Sequence, residues 1–437
     1  MNQTGQNLYK KAKKIIPGGT MLLSKRPEMF LPEMWPAYFS KAKGVNVWDL
    51  DNKKYIDMCI MGIGTNTLGY GNDEVDKAVI KTISNGNMST LNCPEEVLLA
   101  EKLIEINPWA QMVRFARTGG EANAIAIRIA RAATGKDNVA ICGYHGWHDW
   151  YISVNHNSNG EDLTNHLLPG LNPLGVPKSL SDSVFPFTYN NYEQLEKLVN
   201  TQDIGVIKME VERNFKPENK FLERVRNLAT KKNIVLIFDE CTSGFRETFG
   251  GIHKKYNVTP DIAMYGKTLG NGYAITAVVG KKEIMESAQE TFISSTFWTE
   301  RIGPTAALKT LEQMESLNSW ERITYLGNKL RQGWIDSAKR QNVNISTYGL
   351  SALSSFTFDH KDSQKYKTLL VQEFLKKGYL ASSLFYASYA HNEKIIKDYM
   401  EIFESILFDI NKCNKGILNI DDLIEGPIAY SNFKRLN

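Results

Sequence analysis

The chain has 437 residues, of which 42% are hydrophobic and 23% are charged, and its formal net charge is +4. This composition is typical of a globular protein with a sizeable core, and it excludes fibrous and largely disordered classes. The surplus of positive charge is small and no basic stripe is interleaved with aromatic residues, so we expect a small-molecule partner and no nucleic acid.

The N-terminal segment predicts an early helix, followed by an antiparallel hairpin across residues 51–53, where VWDLDNKKYIDM alternates in polarity. No apolar run is long enough for a signal peptide or a membrane span. The cysteines lack the paired spacing of a disulfide framework or a CxxC metal site; they are Cys59, Cys93, Cys142, Cys241 and Cys413. We therefore expect a cytoplasmic protein with no membrane association.

The middle of the chain alternates short apolar runs with helix-like segments, which is typical of an α/β protein with a mostly parallel central sheet. Each run ends at a glycine-rich, polar or charged segment. The runs are residues 113–116, 139–142, 206–210, 234–238 and 261–265. Because ligands bind beyond the carboxyl ends of parallel strands, we expect these five strand ends to meet at one crevice.

The last 120 or so residues return to amphipathic helices, and one apolar stripe at helical spacing predicts a core-facing helix. The stripe consists of Ile395, Ile396, Tyr399, Met400, Phe403, Ile406, Leu407 and Ile410. No internal repeat stands out. We predict a large domain over residues 61–310 and a smaller domain built from residues 1–60 and 311–437.

The stretch ARTGGEANA places Thr118, Gly119 and Gly120 between a strand and a helix. Free N–H groups at a helix N-terminus, a hydroxyl and two glycines suit a phosphate group. An ordinary strand–helix turn that needs glycine for its dihedral angles explains the same letters equally well. The motif therefore gains its meaning from the residues that accompany it.

Asp239 follows the most apolar run of the chain, where a carboxylate needs a cation or a polar cleft to offset its desolvation. A protonated aromatic nitrogen would serve, and the carboxylate would then keep a cofactor ring acting as an electron sink. An N-cap role on the following segment is the alternative.

Lys267 follows the run 261–265 in the string GKTLGNG. Most lysines are solvated, but a desolvated lysine at a strand end, close to another cation, has a lowered pKa and can form an imine with a carbonyl. GKT also invites a phosphate-loop interpretation, which requires a glycine five residues before Gly266. Asp261 stands there, so a nucleotide hydrolase is excluded.

Tyr144, in GYHGWHDW, offers an aromatic face at another strand end for stacking on a cofactor ring, although a core tyrosine fits as well. His145 is also expected at the cofactor. A metal pair with His148 is disfavoured because no further ligands accompany the two histidines, and zinc needs three or four. We predict no metal.

These motifs together resemble the glutamate-1-semialdehyde 2,1-aminomutase branch of the class III aminotransferases. The matching strings, in the family's order and spacing, are IIPGGT, YIDM, GYGNDEV, NCPEE, ARTGGEANAIAIRIARAATGK, YHGWHD, IFDECTSGFR, PDIAMYGKTLGNGYAITAVVGK and SSTFWTERIGP. They cover nearly the whole chain. The resemblance implies a fold type I enzyme that depends on pyridoxal phosphate and acts as a homodimer with active sites at the subunit interface.

By that resemblance Lys267 is the Schiff-base lysine, Asp239 pairs with the pyridine nitrogen and Tyr144 stacks on the ring. Thr118, Gly119 and Gly120 match the phosphate loop. Further cofactor contacts are implied for Glu210, Asn214, Cys241 on the opposite ring face, and Thr296, which reaches the phosphate of the neighbouring subunit. The family's proline after the glutamate is replaced by Val211.

Two departures bear on the reaction. Lys25, next to Arg26, stands where the aminomutases have an arginine after IPGG. The aminomutases have a glutamate shortly before a histidine, whereas residues 380–391, LASSLFYASYAH, contain no acid. We therefore predict transfer of an amino group from a donor, expected to be glutamate, to a small aldehyde, ketone or sugar-like acceptor. Similarity of LLSKRPEMFLP and FISSTFWTERIGP to class III enzymes of bacterial surface-polysaccharide pathways favours a sugar-like acceptor.

Arg26, Arg213 and Arg301 are candidate clamps for a substrate anion, since a guanidinium pairs bidentately with carboxylate or phosphate; each could equally form a structural ion pair. Two alternatives to the aminotransferase stay open. One is an aminomutase-type intramolecular transfer, and the other is a non-catalytic cofactor-binding protein.

Overall fold

The computed structural model describes residues 3–156 and 171–431. The chain divides into two compact units. Met1–Asn72 and Glu321–Asn437 form the terminal unit, and Asp73–Trp320 forms the central unit. The sequence placed the corresponding boundaries at residues 60 and 310, each somewhat earlier in the chain.

The strands are β1 (Phe39–Lys43), β2 (Asn46–Asp49), β3 (Lys54–Met58), β4 (Met112–Ala116), β5 (Asn138–Cys142), β6 (Val184–Pro186), β7 (Ile204–Glu210), β8 (Val235–Asp239), β9 (Ile262–Tyr265), β10 (Thr276–Gly280), β11 (Ile345–Tyr348), β12 (Leu353–Phe358), β13 (Tyr379–Ala381) and β14 (Leu384–Tyr386). The five predicted runs correspond to β4, β5, β7, β8 and β9, with Ile234 and Asp261 just outside β8 and β9.

The helices are α1 (Thr4–Ile15), α2 (Met61–Gly64), α3 (Asp73–Ser84), α4 (Pro94–Ile106), α5 (Gly119–Thr134), α6 (Asp149–Ile152), α7 (Tyr192–Thr201), α8 (Phe221–Lys231), α9 (Lys282–Met285), α10 (Ile302–Leu317), α11 (Ser319–Arg340), α12 (Ser363–Lys376), α13 (Glu393–Asn414) and α14 (Ile420–Leu423). Within the described residues, no helix combines the length and the apolar character that crossing a membrane requires.

The central unit is built on a seven-stranded mixed sheet with the order β4-β10-β9-β8-β7-β5-β6. β10 runs antiparallel to both of its neighbours, and the strands from β9 to β6 are parallel. Apolar side chains of β7, β8 and β9 cluster with those of α5, including Ile125 and Ile129. Helices alternate with parallel strands, as the sequence predicts for an α/β domain.

The terminal unit contains a four-stranded sheet of order β1-β2-β3-β13 and a three-stranded sheet of order β11-β12-β14. β2 and β3 pair antiparallel, which confirms the predicted hairpin. The predicted stripe lies on α13, where Tyr399 and Phe403 are buried and pack with Trp334 of α11 and Phe356 of β12. These aromatic side chains form the core of this unit.

Candidate active site

The predicted strand ends lie along one edge of the central sheet. β5, β7, β8 and β9 are parallel, and their last residues are Cys142, Glu210, Asp239 and Tyr265. Glu210 is the register partner of Asp239 across β7 and β8. β4 and β9 both run antiparallel to β10, so Ala116 at the end of β4 reaches the same edge. The sheet therefore brings the polar segments that follow these strands together.

Asp239 is almost completely buried at the end of β8. Its Oδ2 lies 2.9 Å from Nδ1 of His145, and its Oδ1 accepts a hydrogen bond from the N–H of Cys241 at 3.1 Å. Burial alone would raise the pKa of Asp239, but the charge of Lys208 and the hydrogen bond with His145 hold that pKa well below its ordinary value. The carboxylate is thus ionised and fixed in orientation.

Lys267 lies two residues beyond the end of β9. Its Nζ donates a hydrogen bond to Oγ1 of Thr242 at 2.9 Å, and its backbone N–H donates to the carbonyl of Cys241 at 3.2 Å. Burial lowers the pKa of Lys267 to about 8, and the charges of Arg213 and Arg246 contribute to this shift. An amine with this pKa is about half neutral near pH 8, so a far larger share of it can act as a nucleophile than for an ordinary lysine.

Gly266 allows the backbone before Lys267 to pass close to the segment after β8. A Cβ atom at this position would lie 3.1 Å from Sγ and 3.3 Å from Cβ of Cys241. These distances are tighter than ordinary carbon contacts, so a side chain here would push the two segments apart. Glycine therefore keeps the lysine next to the loop that follows Asp239.

Thr118 is the N-cap of α5 and forms a capping box with Glu121, whose carboxylate accepts from the N–H of Thr118. The N–H of Glu121 donates to Oγ1 of Thr118, and that of Ala122 donates to the carbonyl of the same residue. Among the described residues, the N–H groups of Gly119 and Gly120 have no acceptor. A helix start with two such donors is suited to an anion.

The glycines of this segment leave room for a ligand. No atom lies within 4 Å of the position that a Cβ of Gly119 would take, whereas a Cβ of Gly120 would lie 3.1 Å from Nε2 of His148 and 3.5 Å from Nε1 of Trp147. The segment at residues 118–120 is therefore open at its first glycine and is bordered at its second by the motif that also contains Tyr144.

Tyr144 follows β5 and is positioned by Glu210, whose Oε2 accepts a hydrogen bond from the Tyr144 N–H at 3.1 Å. Gly143 makes this contact possible: its φ is +106°, and a Cβ there would lie 2.7 Å from Oε2 of Glu210. The other carboxylate oxygen of Glu210 accepts from Arg213 at 3.3 Å. Burial raises the pKa of Tyr144, so its ring stays neutral.

Most of the predicted site residues belong to the central unit, and those described above share one sheet edge. Asn214 lies four residues after β7 and is partly buried. Thr296 begins a short 3₁₀ turn, Thr296–Thr299, and is exposed. Arg26 belongs to the terminal unit. The roles assigned to these three residues stay predictions.

Arg301 is paired within the central unit. Its Nη2 donates to Oε1 of Glu95 at 2.6 Å and its Nε donates to Oε2 of the same residue at 3.2 Å. This bidentate geometry is the one with which arginine binds a free carboxylate or phosphate. A role of Arg301 as substrate clamp stays a prediction, and in that role it would have to exchange Glu95 for the substrate.

Sequence reasoning overlooked Lys208, Thr242 and Arg246. Lys208 is completely buried in β7, and the only signal for it was a charged residue inside the apolar run VIKME. Thr242 directly follows Cys241, and its contact with Lys267 depends on how two loops meet. Arg246 is buried at 0% exposure, a position that the pattern TSGFR does not indicate.

The chain is similar to known proteins along most of its length. A family model described as aminotransferase class-III matches residues 32–407. A 3-aminobutyryl-CoA aminotransferase of Cloacimonas acidaminovorans is 32% identical over 93% of this chain and 97% of that protein. A glutamate-1-semialdehyde 2,1-aminomutase of Sulfolobus acidocaldarius is 32% identical over 86% of this chain and 94% of that protein.

Solved structures share the fold. The pyridoxal-phosphate form of the FumI protein from Sphingopyxis sp. MTA144 superimposes with a TM-score of 0.84, covering 96% of this chain and 99% of that one at 22% identity. An omega-transaminase from Sphaerobacter thermophilus gives a TM-score of 0.82 at 23% identity, covering 93% of this chain and 98% of that one. At these identities the likeness concerns the fold.

Proposed function

The chain belongs to the class III aminotransferases, and from that premise we propose that it moves an amino group from a donor, glutamate, to a small aldehyde, ketone or sugar-like acceptor. The family match confirms the predicted enzyme class and cofactor: the protein is an aminotransferase that depends on pyridoxal phosphate. The fold type I architecture is confirmed as well. The donor, the acceptor and the residue roles below are proposals.

The observation that carries the proposal is the meeting of an ionised acid and a reactive amine at one sheet edge. Asp239 ends β8 as a buried carboxylate, and Lys267 follows the adjacent β9 with a pKa lowered to about 8. The start of α5 supplies N–H donors for a phosphate. These groups match the ring nitrogen, the aldehyde and the phosphate of pyridoxal phosphate, so the residues fit this cofactor.

The bound cofactor supplies an electron sink for the carbanion that forms when the α-proton of the amino donor is removed. Asp239 would keep a proton on the ring nitrogen, and His145, 2.9 Å from its Oδ2, orients Asp239. Lys267 would hold the cofactor through Nζ until the amino group of the donor displaces it, and the freed amine would then accept the α-proton at the same atom. Tyr144, held by Glu210, would stack on the cofactor ring, and Cys241 would contact its opposite face.

Arg213 is the best supported of the three candidate substrate clamps. Its charge contributes to the lowered pKa of Lys267 and opposes the raised pKa of Tyr144, so the guanidinium lies near both groups. It also contacts Glu210 at 3.3 Å. An acidic donor such as glutamate would place a carboxylate on this guanidinium. Arg26 and Arg301 are weaker candidates.

The acceptor is proposed from chemistry and motif similarity. A sugar-like acceptor in surface-polysaccharide synthesis is supported by the similarity of LLSKRPEMFLP and FISSTFWTERIGP to enzymes of such pathways. An intramolecular amino transfer is the second candidate, favoured by the 32% identity to an aminomutase. The absence of an acid from residues 380–391 argues against it.

We also propose a homodimer as the active form. Apolar side chains are exposed on α3, on α4 and between these helices, and they are more typical of an interface than of a solvated surface. They are Ile80, Ile83, Met88, Leu91, Val97 and Leu98. Thr296 is exposed, as expected of a residue that reaches the phosphate of the neighbouring subunit. Light scattering of the purified protein tests this proposal; a monomer with full activity would contradict it.

The function is tested by a half-reaction screen. The purified enzyme is mixed with a panel of amino acids and amines, and the loss of the absorbance of the lysine-bound cofactor is followed. A carbonyl acceptor then restores that absorbance if the enzyme is an aminotransferase. Conversion of one amino-aldehyde without consumption of any donor would instead support the aminomutase, and Lys267→Ala is the control without the reactive amine.

A further inference from the structure

Lys208 lies in the middle of the central sheet, where an aliphatic residue would be expected. It belongs to β7, whose seven residues are all buried, and its own side chain is 0% exposed. Its register partners are Ile141 on β5 and Ile237 on β8. A charged amine among such neighbours carries a large desolvation cost unless it is paired.

The amine of Lys208 reaches the residue that the proposed function places at the ring nitrogen. Its Nζ lies 3.8 Å from Oδ2 of Asp239 and 2.9 Å from Sδ of Met264 on β9. Asp239 also contacts His145 through Oδ2. Two groups that can carry positive charge therefore approach one carboxylate oxygen.

A structural role alone does not account for a lysine here. Replacement of a buried ion pair by well-packed apolar residues is often neutral or stabilising, so the sheet itself gains little from the pair. Burial lowers the pKa of Lys208, and the charge of Asp239 opposes that shift; in its ammonium form Lys208 changes the electrostatics of Asp239. Its charge is the largest influence that counters the effect of burial and lowers the pKa of that carboxyl group.

We propose that Lys208 is a positioning residue that acts through Asp239 and sets how strongly the cofactor's ring nitrogen binds its proton. The inference depends on the proposed pairing of Asp239 with that nitrogen. A carboxylate that shares its charge with a buried ammonium attracts a pyridinium proton less than an unshared carboxylate does. Lys208 thereby lowers the pKa that Asp239 gives to the ring nitrogen, and with it the capacity of the ring to accept electrons.

The charged and titratable groups around Lys208 come from the neighbouring strands. Asp239 ends β8 and Cys241 follows it. Glu210 lies on β7, like Lys208 itself, and His145 follows β5. Burial lowers the pKa of His145 and the charge of Lys208 lowers it further, while Asp239 raises it. Removal of the ammonium is therefore expected to raise the pKa of His145 as well as that of the ring nitrogen.

The test is nitrogen-15 NMR of enzyme that has been reconstituted with cofactor labelled at the ring nitrogen. The chemical shift of this nucleus reports its protonation directly, without any turnover. We expect the nitrogen of Lys208→Met to lose its proton at a pH about one unit or more above that of the wild type, as for the loss of one nearby buried charge. Met264→Leu, which removes the thioether contact and keeps the charge, is expected to titrate like the wild type.

Identical titration of the ring nitrogen in Lys208→Met and the wild type would overturn the inference. A failure of the underlying assignment would look different: Asp239→Asn would then leave the nitrogen unchanged as well. If the methionine variant does not fold, nitrogen-15 spectra of wild-type protein labelled at lysine decide the matter. Lys208 must be an ammonium at neutral pH, and a neutral amine would overturn the inference.

Discussion

Nζ of Lys267 donates a hydrogen bond to Oγ1 of Thr242, 2.9 Å away. The two residues follow neighbouring strands, so this contact joins the segment after β9 to the segment after β8. A neutral or charged amine can make it, since both forms carry N–H donors. The bond therefore holds the amine beside Thr242 in either protonation state, and the surrounding charges set its pKa.

The attachment of the cofactor to the apoprotein should depend on pH in a way set by Lys267. Only the neutral amine attacks the aldehyde, and the pKa of Lys267 is lowered from 10.5 to about 8 by burial and by the charges of Arg213 and Arg246. The rate constant is thus expected to rise with pH and to level off above about pH 8. Stopped-flow absorbance measures it.

A matched pair of arginine variants tests the cause of this shift. Arg213→Leu removes a nearby charge and is expected to raise the midpoint pH of attachment. Arg224→Leu removes an exposed arginine that pairs with Glu193, and it is expected to leave the midpoint unchanged. A wild-type midpoint near 10.5 would contradict the assignment of Lys267 as the reactive amine.

Asp239→Asn should retain the covalently bound cofactor and slow the amino-donor half-reaction. The amide cannot keep the ring nitrogen protonated, and we expect a loss of about 100-fold or more, the size seen when one preorganised electrostatic group is removed. Rapid-mixing absorbance with an excess of donor measures the rate. Asp261→Asn, which changes a buried aspartate paired with Arg226 and Lys281, is the control and should react at the wild-type rate. If Asp239→Asn reacted as fast as Asp261→Asn and the wild type, the role of Asp239 would be refuted.

Gly143→Ala should disturb the site through Glu210. The new Cβ would lie 2.7 Å from Oε2 of Glu210, at a φ of +106°, so Tyr144 loses its backbone anchor. We expect the free energy of unfolding to fall by about 1–3 kcal/mol and the affinity for the cofactor to fall with it. Urea denaturation and cofactor titration measure the two effects.

Gly135→Ala is the matched control for that change. Its φ is +65°, but no atom lies within 4 Å of the added Cβ. Gly135→Ala is expected to lower the free energy of unfolding by about 1 kcal/mol, from backbone strain alone, and to leave cofactor affinity unchanged. If both variants bound the cofactor like the wild type, the contact between Gly143 and Glu210 would have no part in holding Tyr144.

The terminal unit should lose stability in mild acid because of His391. This side chain is buried and lies 2.8 Å from the carbonyl of Asp57 through Nε2, and burial lowers its pKa from 6.5 to about 4. Between about pH 4 and pH 6.5, His391 therefore binds a proton in the unfolded chain but stays neutral in the folded chain. Stability is retained above about pH 6.5 and falls as the pH drops toward 4, by up to about 3 kcal/mol.

His391→Gln should flatten this pH dependence, because glutamine offers a donor and an acceptor but no proton to bind. Denaturation curves between about pH 4 and pH 7 compare it with the wild type and with His360→Gln, which changes a partly exposed histidine of the same unit. We expect the stability of His360→Gln to follow that of the wild type. If the free energy of unfolding of His391→Gln depended on pH as strongly as that of the wild type, another group would control the acid sensitivity.

The sequence was sufficient for the strands with long apolar runs and insufficient for short or antiparallel ones. β7 and β8 are buried along their whole length, so their apolar composition identified them. β10 was overlooked, because five small and β-branched residues after a glycine-rich loop also suit a turn, and nothing in them indicates an antiparallel direction.

The positions of Lys267 and Asp239 at strand ends could be predicted from their motifs, whereas contacts across the sheet could not. Lys267 and Asp239 stand at strand ends, where the residue types alone indicate chemistry. The relation of Lys208 to Asp239 depends on the register of β7 against β8, in which Glu210 and Asp239 are partners and Lys208 lies one pleat before them. That register is a tertiary property with no local signal.

The most direct test of the central claim is to trap the lysine-bound cofactor. The holoenzyme is reduced with borohydride, digested and analysed by mass spectrometry, alongside Lys267→Ala treated in the same way. We expect a yellow wild-type protein whose only phosphopyridoxyl adduct is on Lys267, and no adduct in the variant. A colourless wild-type protein, or an adduct on another lysine that persists in the variant, would contradict it.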